Sequence, residues 1–193
     1  MLTKMLPDHQ PSLLIFGYGS LIWNPGFEFY DSRKAYAIGF ARRMYQGNTF
    51  HRGNLKQPGR VATIIPVVDE VTSGIVFRVV GKKQIKNALD HLVEREIENG
   101  YKFVTLPVEY TENGQQVVAL TCIAEQKNEY FLGPASISVM AKQIATARGK
   151  AGPNYEYVLK LAEHVRKLFP EDNDNHLFEL ETRLRQAIPV MAA

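Results

Sequence analysis

Apolar and polar positions fall into two regimes along this chain of 193 residues. Up to Ala124, short runs of β-branched, aromatic and aliphatic residues are broken by Gly, Pro, Asp and Asn, the punctuation of a strand-rich region. Ser12 to Phe16 is one such run. It stops at Gly17-Tyr18-Gly19, which predicts a strand feeding a tight loop. Ala35 to Tyr45, Ala62 to Val68 and Gly74 to Val80 read as further strands. Lys102 to Tyr110 and Val117 to Ala124 flank Glu112-Asn113-Gly114, and Asn-Gly between two such runs predicts a hairpin. One stretch has helical period instead: over Lys83 to Glu98, the residues Ile85, Ala88, Leu89, Leu92, Val93 and Ile97 form an apolar stripe. Three helices follow at the end. Ser136 caps one running to about Arg148, Asn154 or its neighbours open one to about Leu168, and Asp174 or Asn175 opens the last. Strands, a helix, strands and then helices make an α+β chain and not a doubly wound sheet.

Composition adds bounds. Hydrophobic residues make up 45% and charged residues 22%, enough for one ordinary core. Cys122 is the sole cysteine, so no intrachain disulfide forms and a reducing, cytoplasmic setting fits best. The net charge of +3 is mild and its basic residues are scattered, which argues against nucleic acid as a partner. Met1 to Pro11 contains Lys4, Pro7, Asp8 and His9, which interrupt any apolar stretch long enough for a signal peptide or a membrane span. We expect residues 1–11 to be a disordered lead-in and residues 12–190 to form one domain. No metal site is expected, because His9, His51, His91, His164 and His176 have no ligand spacing with one another or with Cys122. Cys122 itself lies in a strand-like apolar run and nothing marks it as a nucleophile.

Two local features carry candidate chemistry. In Phe16-Gly17-Tyr18-Gly19-Ser20-Leu21-Ile22-Trp23 the glycines let the backbone turn sharply and bring its N–H groups toward a carboxylate or oxyanion. A plain tight turn with packed aromatic neighbours explains the same residues equally well. The stretch lacks the third glycine of a dinucleotide fingerprint and the lysine of a P-loop. Ser20 lacks the second glycine of a nucleophile elbow. The other feature is Glu96, which falls about 20° from Ile85 on the helical wheel, on the apolar face. A carboxylate buried there has its pKa raised toward neutrality and can accept and return a proton. Pairing with a buried arginine, or fraying of the helix at Asn99-Gly100, accounts for it as well.

Further candidates are weaker. His51-Arg52-Gly53 and Pro58-Gly59-Arg60 lie in a polar connection, where binding residues concentrate, although a solvated turn is the simpler reading. One of Arg42 and Arg43 can face a pocket if the strand alternates. Tyr155 and Tyr157 open a helix, where aromatics usually pack but where a hydroxyl can also orient a substrate carboxylate.

Taken together, these segments resemble the ChaC family of glutathione-specific γ-glutamylcyclotransferases. The resemblance runs through Phe16–Trp23, Arg42-Arg43, Gln46-Gly47, His51-Arg52-Gly53, Pro58-Gly59-Arg60, Arg95-Glu96 and Gly100-Tyr101. It continues in Tyr130–Ala135, Asn154–Tyr157 and His176–Glu181. It implies a compact mixed β-barrel with surrounding helices and a cofactor-free cleavage of glutathione to 5-oxoproline and Cys-Gly. It further implies Glu96 as the catalytic acid/base, and a substrate-binding loop of Tyr18, Gly19, Ser20, Leu21 and Ile22. Tyr157 would close the pocket, and Arg52 or Arg60 would meet the glycine carboxylate. The chain departs from the family in the spacing from Glu96 to Gly100-Tyr101, in the absence of a tryptophan before Gly74, and at Met44-Tyr45. These departures bear on affinity and substrate range. Cyclotransfer on other γ-glutamyl amines or dipeptides, and glutathione binding without turnover, are the alternatives.

Overall fold

The computed structural model describes residues 10–191, so the expected lead-in lies, apart from Gln10 and Pro11, outside the described residues. Five strands close into a barrel: β1 (Ser12–Gly17), β2 (Asp31–Asn48), β3 (Gly59–Val80), β4 (Tyr101–Tyr110) and β5 (Gln116–Ala124), in the order β1-β3-β2-β4-β5. All neighbours are antiparallel except β1 and β5, which run parallel and meet at Ile15↔Leu120. The barrel is therefore mixed, as the resemblance implied. The β4–β5 hairpin forms around the Asn-Gly turn with unbroken register from Tyr101↔Ala124 to Glu109↔Gln116.

Alternation along β1 and β3 separates two cores. Phe16 and Val76 turn inward and join the main core, which also takes Met44, Ile64, Leu106 and the buried faces of the C-terminal helices. Ile15, Ile75, Phe77 and Val79 turn outward and are covered by Ala88 and Leu92 of α1 (Lys82–Arg95). Gly74 is required here by close approach: a Cβ on it would lie 2.5 Å from the Phe16 ring. The helices α2 (Ile137–Thr146), α3 (Asn154–Leu168) and α4 (Asn175–Met191) pack against one another and on β2 and β3. The Ser136 hydroxyl caps α2 by accepting from the Val139 amide. A small ribbon of β6 (Arg148–Gly149) and β7 (Gly152–Pro153) leads into α3.

Three boundaries differ from the sequence expectation. The runs at residues 62–68 and 74–80 belong to one strand, β3, because residues 67–70 bulge out between the Phe40↔Pro66 and Ile38↔Val71 pairs. Asp69 adopts φ 68° there and Gly39 opposite adopts φ 80°, so the ladder resumes beyond the excursion. β2 starts at Asp31, four residues before the expected start at Ala35. Finally, α1 stops at Arg95 and gives way to a 3₁₀ turn over Ile97–Asn99 that ends at left-handed Gly100. The Asn99 side chain donates to the Arg95 carbonyl at 2.9 Å and helps to stop the helix. Among the described residues no helix is long and apolar enough to cross a membrane.

Candidate active site

The end of β1 and the end of α1 face each other across a cavity of about 710 Å³. Its floor is the barrel mouth: Tyr18, Val61, Ala62, Tyr101, Thr121 and Cys122. Glycine-loop residues Gly19, Ser20 and Leu21 form one wall. Arg95, Glu96 and Asn99 form another, while His51, Arg52 and Ala151 line the far side.

Beyond Gly17 the chain makes a 3₁₀ turn over Ser20–Ile22, whose first bond runs from the Ile22 amide to the Gly19 carbonyl at 3.0 Å. The amides of Ser20 and Leu21 therefore have no acceptor within the turn and remain donors. A Cβ on Gly19 would press against the Tyr157 hydroxyl at 3.0 Å, so a bare residue leaves that hydroxyl in place. Phenols pin the floor. Tyr18 donates to the Cys122 carbonyl at 2.5 Å, and Tyr101 donates to the Ala62 carbonyl at 2.7 Å. Tyr157 instead accepts from the Ala62 amide at 3.2 Å, which leaves its own proton to donate. Burial holds the Tyr18 and Tyr101 hydroxyls well above the usual tyrosine range and moves Tyr157 to about 12. All three stay protonated at working pH. Burial also raises the Cys122 thiol, with the Glu96 charge adding to it, so this cysteine is a neutral wall residue.

Glu96 caps the C-terminus of α1, its amide still bonded to the Leu92 carbonyl at 2.9 Å. It thus continues the buried row Ala88, Leu92 by one more i,i+4 step, and that row leads to the cavity. Desolvation by burial lifts its carboxyl to about 7, and the charge and hydrogen bonding of Arg95 offset only part of that rise. The Arg95 Nε lies 3.0 Å from Oε1, and among the described residues no other donor reaches the carboxylate. The arginine partner and the helix end, each sufficient to explain the residue from sequence, are both present, and the carboxylate lines the cavity nonetheless.

The two candidate arginines separate. Arg52 lines the cavity, with Nη1 bonded to the Pro153 carbonyl at 2.9 Å and 3.3 Å from Glu156. Arg60 does not line it. It is buried, and there Nη1 donates to the Met44 and Gly133 carbonyls at 3.0 and 2.8 Å and Nε donates to Gln143 at 2.7 Å. Those bonds make Arg60 a tie between β3, β2 and α2, away from the cavity lining. Ile22 packs between the two cores and lies outside the cavity lining. Nor does Arg42 face the cavity. Its guanidinium donates to Ser73 and lies 3.4 Å from Asp174 at the start of α4. The sequence gives Arg95 no role of its own and offers His51 only within its motif, yet both line the cavity. Among the described residues no three His, Cys, Asp or Glu side chains gather as a metal site.

A small closed barrel whose mouth holds a glycine loop, a donor-lined cavity and a buried carboxyl has the arrangement of an enzyme site. The ChaC-like protein family matches residues 13–187. Glutathione-specific γ-glutamylcyclotransferase 1 of Danio rerio is 42% identical, over 94% of this chain and 94% of its own length. The glutathione-specific γ-glutamylcyclotransferase of Schizosaccharomyces pombe is 36% identical, over 91% of this chain and 93% of its own length. The crystal structure of selenomethionine-labelled γ-glutamyl cyclotransferase specific to glutathione from yeast superposes with a TM-score of 0.84 at 27% identity, covering 91% of this chain and 96% of that one. The chain belongs to the ChaC family.

Proposed function

We propose that this chain degrades glutathione by intramolecular cyclotransfer, on one domain spanning residues 12–190. The α-amine of the γ-glutamyl residue attacks its own γ-carbonyl. A new C–N bond closes the five-membered lactam, the amide C–N bond to cysteine breaks, and 5-oxoproline and Cys-Gly leave without water being consumed. The observation that carries this reading is Glu96, a carboxyl at about 7 beside the glycine loop. Such a group can take a proton from the attacking nitrogen and return it to the departing cysteine nitrogen. Similarity to glutathione-specific γ-glutamylcyclotransferases supports glutathione as the substrate.

The Ser20 and Leu21 amides, with the Ser20 and Tyr157 hydroxyl protons, are the donors offered to the glutamyl α-carboxylate or the developing oxyanion. Holding the glutamyl chain folded supplies much of the acceleration through proximity. Arg52 and His51 form the wall we assign to the glycine carboxylate. Burial, Arg95, Arg52 and Lys150 all lower the His51 pKa, so that wall is already cationic without a charge on the imidazole. The proposal extends to a reducing, cytoplasmic setting, in which the substrate thiol stays free.

The test is a product assay on purified protein with glutathione. Equal amounts of 5-oxoproline and Cys-Gly are expected. Free glutamate in place of 5-oxoproline would mean hydrolysis and overturn the reading.

A further inference from the structure

Neighbouring residues on a helix point about 100° apart and do not face each other. Arg95 and Glu96 nevertheless touch, because the helix ends between them. The Arg95 guanidinium uses all three of its nitrogens on the site. Nε meets Glu96 at 3.0 Å, Nη2 donates to the Ser20 hydroxyl oxygen at 2.5 Å, and Nη1 donates to the Asn24 carbonyl at 2.6 Å. Ser20 and Asn24 mark the two ends of the loop that carries the free amides.

We propose that Arg95 is a positioning residue: its planar fork clamps the Glu96 carboxylate and the glycine loop into one frame, so that base and substrate-carboxylate donors hold a fixed separation. This deepens the reading of Glu96 as acid/base and rests on it. The clamp has two separable duties. Its charge draws Glu96 downward, against burial, into the range where the residue can work in both directions. Its geometry makes Ser20 a hydrogen-bond acceptor toward arginine, which turns the serine's own proton toward a ligand.

The groups around Glu96 leave the charge duty to Arg95. Tyr18 at the end of β1, Tyr101 on β4, Cys122 on β5 and Tyr157 on α3 all sense Glu96 and are all raised and neutral. On its own segment Glu94 and Glu98 are exposed and His91 is held low, by burial first and then by Arg95. His51 across the cavity is also held low in part by Arg95. Removing the arginine therefore moves both histidines as well as Glu96, and the readout has to be specific to the carboxyl.

Side-chain carboxyl ¹³C-labelled glutamate provides it, with the Glu96 resonance assigned by its loss in Glu96→Gln. In Arg95→Met the Glu96 titration is expected to move upward by about 1–3 units, and the acid limb of kcat/KM with glutathione moves with it. Arg95→Lys is expected to keep the titration within about half a unit, since the charge stays, yet to raise KM by about tenfold because a point charge cannot hold Ser20 and Asn24 together. Arg95→Gln replaces the methionine variant if that one does not fold. A Glu96 midpoint unmoved in a folded, uncharged variant would overturn the charge duty. A lysine variant with wild-type KM would overturn the clamp. The carboxyl titration needs no turnover, so a protein that cleaves no glutathione defeats the proposed reaction while the Arg95 assignment is still decided.

Discussion

Two of the carboxylate–arginine pairs in this molecule differ in what surrounds them. Glu96 and Arg95 sit at the cavity, each side chain 17% exposed. Asp174 and Arg42 are sealed between the barrel and α4, at 7% and 0%. Burial raises both acids and an arginine lowers both. Asp174, however, accepts the Leu177 amide at 3.0 Å as the cap of α4, and Arg42 is further bound to Ser73. The sealed pair joins the barrel to α4 with no open volume beside it, and among the described residues Arg42 Nε and Nη1 find no hydrogen-bond partner there. Among the described residues Glu96 has only its neighbour as partner, through Oε1, and it lines the cavity. A shifted carboxyl in the interior therefore does not by itself mark catalysis, since desolvation acts the same way in both places. What distinguishes Glu96 is unspent hydrogen-bonding capacity facing open volume.

Substitutions can break that contrast. The largest effect belongs to Glu96→Gln, which should reduce 5-oxoproline formation by about 10²–10⁴-fold, the usual worth of a general acid/base, with the fold intact by circular dichroism. Asp174→Ala should do the reverse. Leaving Arg42 buried and unpaired costs about 3–5 kcal/mol, read by urea unfolding, while kcat per folded molecule holds. A third comparison sets the two candidate arginines apart: Arg52→Gln should raise KM for glutathione about tenfold, as expected for losing a charged hydrogen bond. Arg60→Gln should lower the thermal midpoint and leave KM within about twofold.

The smallest effect is in stability. The folded Glu96 pKa of about 7 lies above its unfolded value, so the native state holds the extra proton between them. The wild type loses stability relative to Glu96→Gln as pH rises through that window, and the difference is constant above it. Thermal melts at pH 4 and pH 8 check the sign: the glutamine variant should gain about 1–3 kcal/mol at the higher pH and little at the lower. Equal melting at both would mean that Glu96 is not desolvated.

The sequence is most legible where a signal is local. The glycine loop shows in Gly17-Tyr18-Gly19, the β4–β5 hairpin in Asn113-Gly114, and Glu96 in a step of four from Leu92. It is least legible where partners come from far along the chain. Arg60 and Arg52 look alike in motif, yet the Met44, Gly133 and Gln143 groups that bind Arg60 gather only on folding. Arg95 was hidden for a different reason. Helical geometry keeps adjacent residues apart, and only the chain's exit at Glu96 joins them. The length of β3 was missed because Asp69-Glu70 reads as a turn, whereas Gly39 in the facing strand absorbs the bulge.

The parallel seam between β1 and β5 has a consequence for how the protein is made. Ile15 meets Leu120, Thr121 donates to the Phe16 carbonyl, and Tyr18 donates to the Cys122 carbonyl, all across more than a hundred residues. The ribosome delivers the glycine loop more than a hundred residues ahead of its partners, which arrive only when β5 has emerged. A nascent or prematurely terminated chain then carries half of the site on an unclosed sheet. The complete site, Tyr157 of α3 included, is assembled only after β5 and α3 have both been made.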